Sequence, residues 1–104
     1  MIESLEPQPI TLEVWIFDAN RIREIDPSDW TIRYAIYIAV KLWNGFYPSQ
    51  LVDSGTLSLA NVDPWFAKAT LNVGGERKYI VFIAVYYREA HQGTWAVYNF
   101  APES

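Results

Sequence analysis

Residues 30–43, WTIRYAIYIAVKLW, are apolar on nearly every face, with Arg33 and Lys41 the only charges. As a strand, Ile32, Tyr34, Ile36, Ile38, Val40 and Leu42 form one unbroken apolar face. The other face reads Thr31, Arg33, Ala35, Tyr37, Ala39, Lys41, Trp43. Trp, Thr, Ile, Tyr and Val are stiff or bulky at Cβ and fit a pleated surface better than a helix. The competing signal is local. Asp26-Pro27-Ser28-Asp29 is a good helix start, and Asn44-Gly45 would serve as a stop. Strand is the favoured reading. A strand over 30–43 would span about 46 Å at ~3.3 Å per residue, so it must bend, with Ala35 or Ala39 the expected place. Its even face is expected to look inward throughout, and its odd face to need partial cover from another layer or subunit.

The rest of the chain repeats this logic. Ile10, Leu12, Val14 and Ile16 alternate with Thr11, Glu13, Trp15 and Phe17, which predicts a strand over 10–18. Residues 19–29 read as a polar connection and 44–50 as a turn. Residues 51–61 read as one or two short strands with Leu57 and Leu59 inward. FAKATLNV (66–73) reads as a strand, joined by a Gly74-Gly75 hairpin to a long strand over 77–88. That strand is apolar on both sides, which predicts a central strand covered twice. Residues 89–93 are expected to turn, and 94–100 to form the last strand.

The expected fold is therefore all-β, an antiparallel β-sandwich or open barrel of about six to seven strands. The alternative is α+β, with one helix at about 27–43 on an antiparallel sheet. At 104 residues the chain is expected to hold a flexible lead-in at 1–9 and a single β domain at 10–101. A domain of this size buries roughly 60–70% of its unfolded surface and needs no staple.

Function is bounded more by what is missing. Cysteine is absent and histidine occurs once, at His91, so thiolate and His-based metal sites and Cys–His nucleophiles are disfavoured. His91 falls in the expected turn at 89–93. No G-x-S-x-G and no phosphate-cradling glycine loop occurs. The expectation is a protein that is not an enzyme and uses no cofactor. Eight basic residues against a net charge of −4 leave no basic stripe, so neither nucleic acid nor membrane is an expected partner. No apolar run reaches the roughly 18 residues of a membrane span, and MIESLEPQPI lacks the pattern of a secretory signal, so a cytoplasmic location is expected.

Asp18, Asp26 and Asp29 are weak candidates for a calcium site, if the strand ends bring them together. The stretch FDANRIREIDPSDW around them is similar to the first loop of C2 domains, but the later paired-Asp loop of that family is missing here. Capping and turn formation are the favoured account of these residues.

The aromatics carry the functional expectation. Five Trp, seven Tyr and five Phe are too many large rings for one small core. Trp15, Phe17, Tyr37, Trp43, Phe46, Tyr47 and Trp65 fall outside the clearest core faces and are the interface or ligand-binding candidates. Interfaces favour Trp and Tyr and are poor in Lys. Here Lys41, Lys68 and Lys78 are the only lysines. The leading expectation is a non-catalytic protein-interaction domain, of inhibitor, immunity or assembly-subunit type. It would pair with itself as a homodimer or with another protein. Second comes a small-molecule or carbohydrate site in an aromatic-lined pocket, and third a calcium-dependent β-sandwich module.

Overall fold

The computed structural model describes residues 5–17, 26–60 and 66–102. It is all-β and antiparallel, with no α-helix among the described residues. The strands are β1 (Leu5–Pro7), β2 (Ile10–Phe17), β3 (Trp30–Leu42), β4 (Gly45–Leu57), β5 (Phe66–Val73), β6 (Tyr79–Tyr87), β7 (Ala90–Tyr98) and β8 (Phe100–Pro102). A four-stranded sheet runs β4-β3-β6-β7; β2 and β5 form a second sheet, and β1 pairs with β8.

The conflict over residues 27–43 resolves into both signals, in sequence. Asp26 caps a 3-10 turn over Pro27–Asp29, and its Oδ1 accepts from the Ser28 amide (2.9 Å) and the Ser28 hydroxyl (2.7 Å). The hydroxyl bond, then the amide bond, hold the Asp26 carboxyl below the usual range. Trp30 is already extended (φ −114°, ψ 135°), and the β-branched run carries on as β3. A cap lowers the cost of one turn, but it cannot outweigh the preference of the residues that follow.

The core lies between the two larger sheets. In the four-stranded sheet Ile32 faces Val85 and Ile36 faces Val81 across the β3–β6 ladder. They meet Ile16 of β2 and Ala67, Ala69, Leu71 and Val73 of β5 in one cluster. Val14 lies opposite Ala69 and Ile16 opposite Ala67, so each large side chain sits beside a small one. Burying an aliphatic side chain here contributes about 1.5–3 kcal/mol. Leu57 and Leu59 pack on this cluster as expected, and the bridge between Ala60 and Lys68 ties the layers at one corner.

Five expectations need correction. First, the even face of β3 looks inward only as far as Ile38. Ile32 and Ile36 are buried, but Val40 and Leu42 are exposed, because the covering strands end at Ile10 and Val73. Second, the turn expected at 44–50 is confined to Trp43-Asn44. Gly45 takes φ 140°, and Pro48 sits within β4, where an edge strand tolerates a missing donor. Third, Gly74-Gly75 does not close a hairpin. β5 pairs with β2 and β6 with β3, so residues 74–78 cross between layers. Fourth, the β6–β7 turn is Arg88-Glu89, both at positive φ, which places His91 on β7. Fifth, β6 is central in its sheet but covered by a layer on one face only. On the other face Phe82, Ala84 and Tyr86 are half-buried, and Ile80 is enclosed.

Candidate binding groove and arm

Two strands facing four leave an overhang. On β7, Val97 lies opposite Val81 and Trp95 opposite Ile83, which puts both on the inward face of the large sheet. There is no third strand beside β2 to cover them among the described residues. The result is a groove of about 540 Å³ between the edge of β2 and the inner face of β6–β7. Every residue from Leu12 to Phe17 lines it, odd and even alike, as happens where the edge of a strand forms the wall. Trp30 closes one part of the groove, half-buried and tilted against Tyr87 at 4.8 Å.

The mouth is aromatic. Trp15 and Phe17 stack with ring centroids 6.1 Å apart, and Trp15 tilts against Phe66 at 5.1 Å. Lys68, opposite Trp15 in the ladder, holds its ammonium 5.2 Å from the Trp15 ring and 3.6 Å from Glu13. The Trp15 indole nitrogen donates to the same carboxylate at 3.0 Å. Glu13 thus anchors the platform and is the only charged residue among the described residues that line the groove.

The second feature is an arm. β6 stops pairing with β3 at Ile38, after a last bond from the Ala39 amide to the Lys78 carbonyl. β3 and β4 run on together to the Trp43-Asn44 turn. Phe46 packs on Phe100 at 4.7 Å, with the Lys78 ammonium 5.4 Å from its ring, and this props one side of the arm. Val40, Leu42 and Tyr47 remain exposed, and Trp43 at the tip is 95% exposed. The molecule is correspondingly elongated, 54 × 26 × 22 Å.

The sequence candidates therefore separate into places rather than joining in one patch. Trp15 and Phe17 are at the groove. Trp43, Phe46 and Tyr47 are on the arm. Tyr37 is on the outer face of the large sheet, edge-on to Phe82 at 5.7 Å. Trp65 and Asp18 lie outside the described residues. Asp29 accepts from Arg88 at 3.3 Å while Asp26 caps its turn, and no three His, Asp or Glu side chains group for a metal among the described residues. His91 also lies on the outer face, its Nε2 2.7 Å from Thr94 Oγ1 and its ring 5.3 Å from Tyr86.

Trp30 and Trp95 are groove residues that sequence reading did not single out. Trp95 alternates with Val97 in phase with an inward face, but only the overhang of β7 makes that face accessible. The chain matches no protein-family model, no curated protein and no solved structure.

Proposed function

We propose that this chain is a non-catalytic protein-interaction domain that self-associates through its exposed aromatic surface. The observation that carries this reading is the second layer, which among the described residues sets two strands against four. Trp15 and Phe17 on one side and Trp95 on the other flank an apolar groove, and Trp95 is 56% exposed. Exposed apolar surface of this kind is a common mark of an interaction site. Trp is also the residue type most often found as an interface anchor. The strand edges point the same way. The free edge of β4 carries Pro48 and two register shifts against β3, which discourage further pairing. β2 pairs with β5 without a register shift and has neither Lys nor Pro between Ile10 and Phe17. Its other edge borders the groove.

Size-exclusion chromatography with light scattering tests the reading. Self-association gives a mass at least twice 12.0 kDa at micromolar concentration, falling on dilution. A constant 12.0 kDa across the same range contradicts it.

A second reading is favoured by the groove volume, which lies in the range of small-molecule sites. A hydrophobic, ring-bearing ligand lying against Trp15 and Trp95 would change tryptophan fluorescence and raise the melting temperature. Titration with such compounds checks it, and no spectral or thermal response to any of them contradicts it.

A further inference from the structure

The groove and the arm are complementary halves of one contact. We infer that the protein assembles head to tail, with the arm formed by residues 39–48 of one copy seated in the groove of the next. This inference rests on the self-association proposed above and specifies its geometry.

Three observations carry it. The first is shape. The groove is a strand short beside β2, and the arm is strand-shaped with exposed apolar side chains. Beyond Ala39, β3 has no strand partner on its β6 side among the described residues. The arm therefore offers main-chain donors and acceptors that β2 can pair, as in strand addition to an open sheet edge. Val40, Leu42 and Trp43 supply the apolar filling.

The second is charge. Lys41 is the only charged residue in the segment 39–48. Glu13 is the only charged residue among the described residues that line the groove. Lys41 has no ion pair among the described residues, while Glu13 faces the Lys68 ammonium at 3.6 Å with one oxygen and accepts from the Trp15 indole at 3.0 Å with the other. An arm lying along β2 would bring the Lys41 cation toward the exposed Glu13 carboxylate, adding a second cation to the one already beside it.

The third is distance. Trp30 lines the groove and Leu42 ends the arm, and both belong to β3. Twelve residues of strand separate them by about 40 Å at ~3.3 Å per residue. The arm of a chain cannot reach its own groove, so the occupant is the arm of another copy. The groove and the arm are different surfaces of one chain, which makes the contact heterologous. Contacts of that kind close into rings or extend into open chains, whereas a two-fold dimer presents the same patch twice.

Mixing separately blocked copies tests this. The arm-blocked chain carries Leu42→Asp and Trp43→Asp, and the groove-blocked chain carries Trp95→Lys. Phe17→Asp, at a residue 68% exposed, serves as the groove variant if Trp95→Lys does not fold. Light scattering is read on each chain alone and on an equimolar mixture. The expected result is 12.0 kDa for each variant alone and a pair with one copy of each in the mixture, with nothing larger. The wild type should be as large as the pair or larger. If the arm-blocked chain stays as large as the wild type, the arm-in-groove contact is overturned while self-association stands. If both variants are monomeric and the mixture stays monomeric, head-to-tail assembly is overturned. If the wild type itself is monomeric throughout, both readings fall together.

Discussion

Arg88 is bonded twice to Asp29. Its backbone amide donates to the Asp29 carbonyl at 2.7 Å, and its Nε donates to the carboxylate at 3.3 Å. The contact ties the β6–β7 turn to the 3-10 turn before β3, and it raises the Arg88 pKa further above its already high value. It also explains why a turn with two positive φ values (49° and 70°) carries no glycine: Arg88 is held by its partner.

Glu89 is at φ 70°, and no side-chain bond of it is recorded among the described residues. A left-handed conformation costs a non-glycine residue about 1–2 kcal/mol. Glu89→Gly should therefore stabilise the protein by about 0.5–1 kcal/mol, after the entropy of glycine in the unfolded chain is allowed for. Arg88→Gly should change little, because relief of the backbone offsets the loss of an exposed, solvent-screened ion pair. Thermal unfolding of the two variants checks the difference.

The layer assignment predicts a sharp contrast between two aliphatic residues. Ile32 is fully buried at the centre of the core, while Leu51 on the β4 edge is 49% exposed. Ile32→Ala should cost about 2–5 kcal/mol. Leu51→Ala should stay within about 0.5 kcal/mol of the parent. Chemical denaturation of both measures it.

The same contrast marks what was legible in the sequence. Alternation identified β2 and set its inward residues, because period two is a direct consequence of the pleat, and a run apolar on both faces identified β6. The β-branched run identified β3 despite a genuine cap at Asp26. Three things were not legible. Gly74-Gly75 looks like a hairpin because local chemistry cannot say that its two flanking strands join different sheets. Arg88-Glu89 has no turn signature, since neither residue favours positive φ and Arg88 is held there by Asp29, far away in sequence. Val40 and Leu42 read as core because the alternation of β3 carries no information about the length of the strands that cover it. Hence Trp43, Phe46 and Tyr47 were expected at a binding surface, but the arm that carries them emerged only from the structure. Trp15 and Phe17 were expected at a binding surface, but their partner across the groove, Trp95, was not.

Two tyrosines should shape the alkaline limit of stability. The Tyr34 hydroxyl donates to Asp53 at 3.1 Å, and that bond raises its pKa above 10.0. Burial, then the bond to Glu76 at 3.0 Å, raises that of Tyr79. Both groups hold their protons more tightly in the folded chain. Their contribution is complete below pH 10.0 and is lost as pH rises from there through the raised folded values. Unfolding free energy should fall over that window, less steeply in Tyr79→Phe than in the parent. Denaturation curves collected across that pH range test the slope.

Two glycines should resist substitution for different reasons. A Cβ on Gly75 would lie 2.6 Å from the ring and backbone nitrogen of Pro9, so Gly75→Ala must push apart the lead to β2 and the 74–78 crossing. A loss of about 1–3 kcal/mol is expected from such overpacking. Gly45 has open space around it, but its φ of 140° is unsuited to a side chain. Gly45→Ala should cost about 1–3 kcal/mol through the backbone alone and unsettle the arm. Circular dichroism melts distinguish these losses from a neutral change.

Hydrogen exchange at low and high protein concentration tests the central claim most directly. Assembly through arm and groove predicts that residues 39–48 and 10–17 gain protection together as concentration rises, while the outer face of β7 does not change. Exchange that is independent of concentration, or protection gained on the outer face around Phe82 and Tyr98 instead, would contradict it.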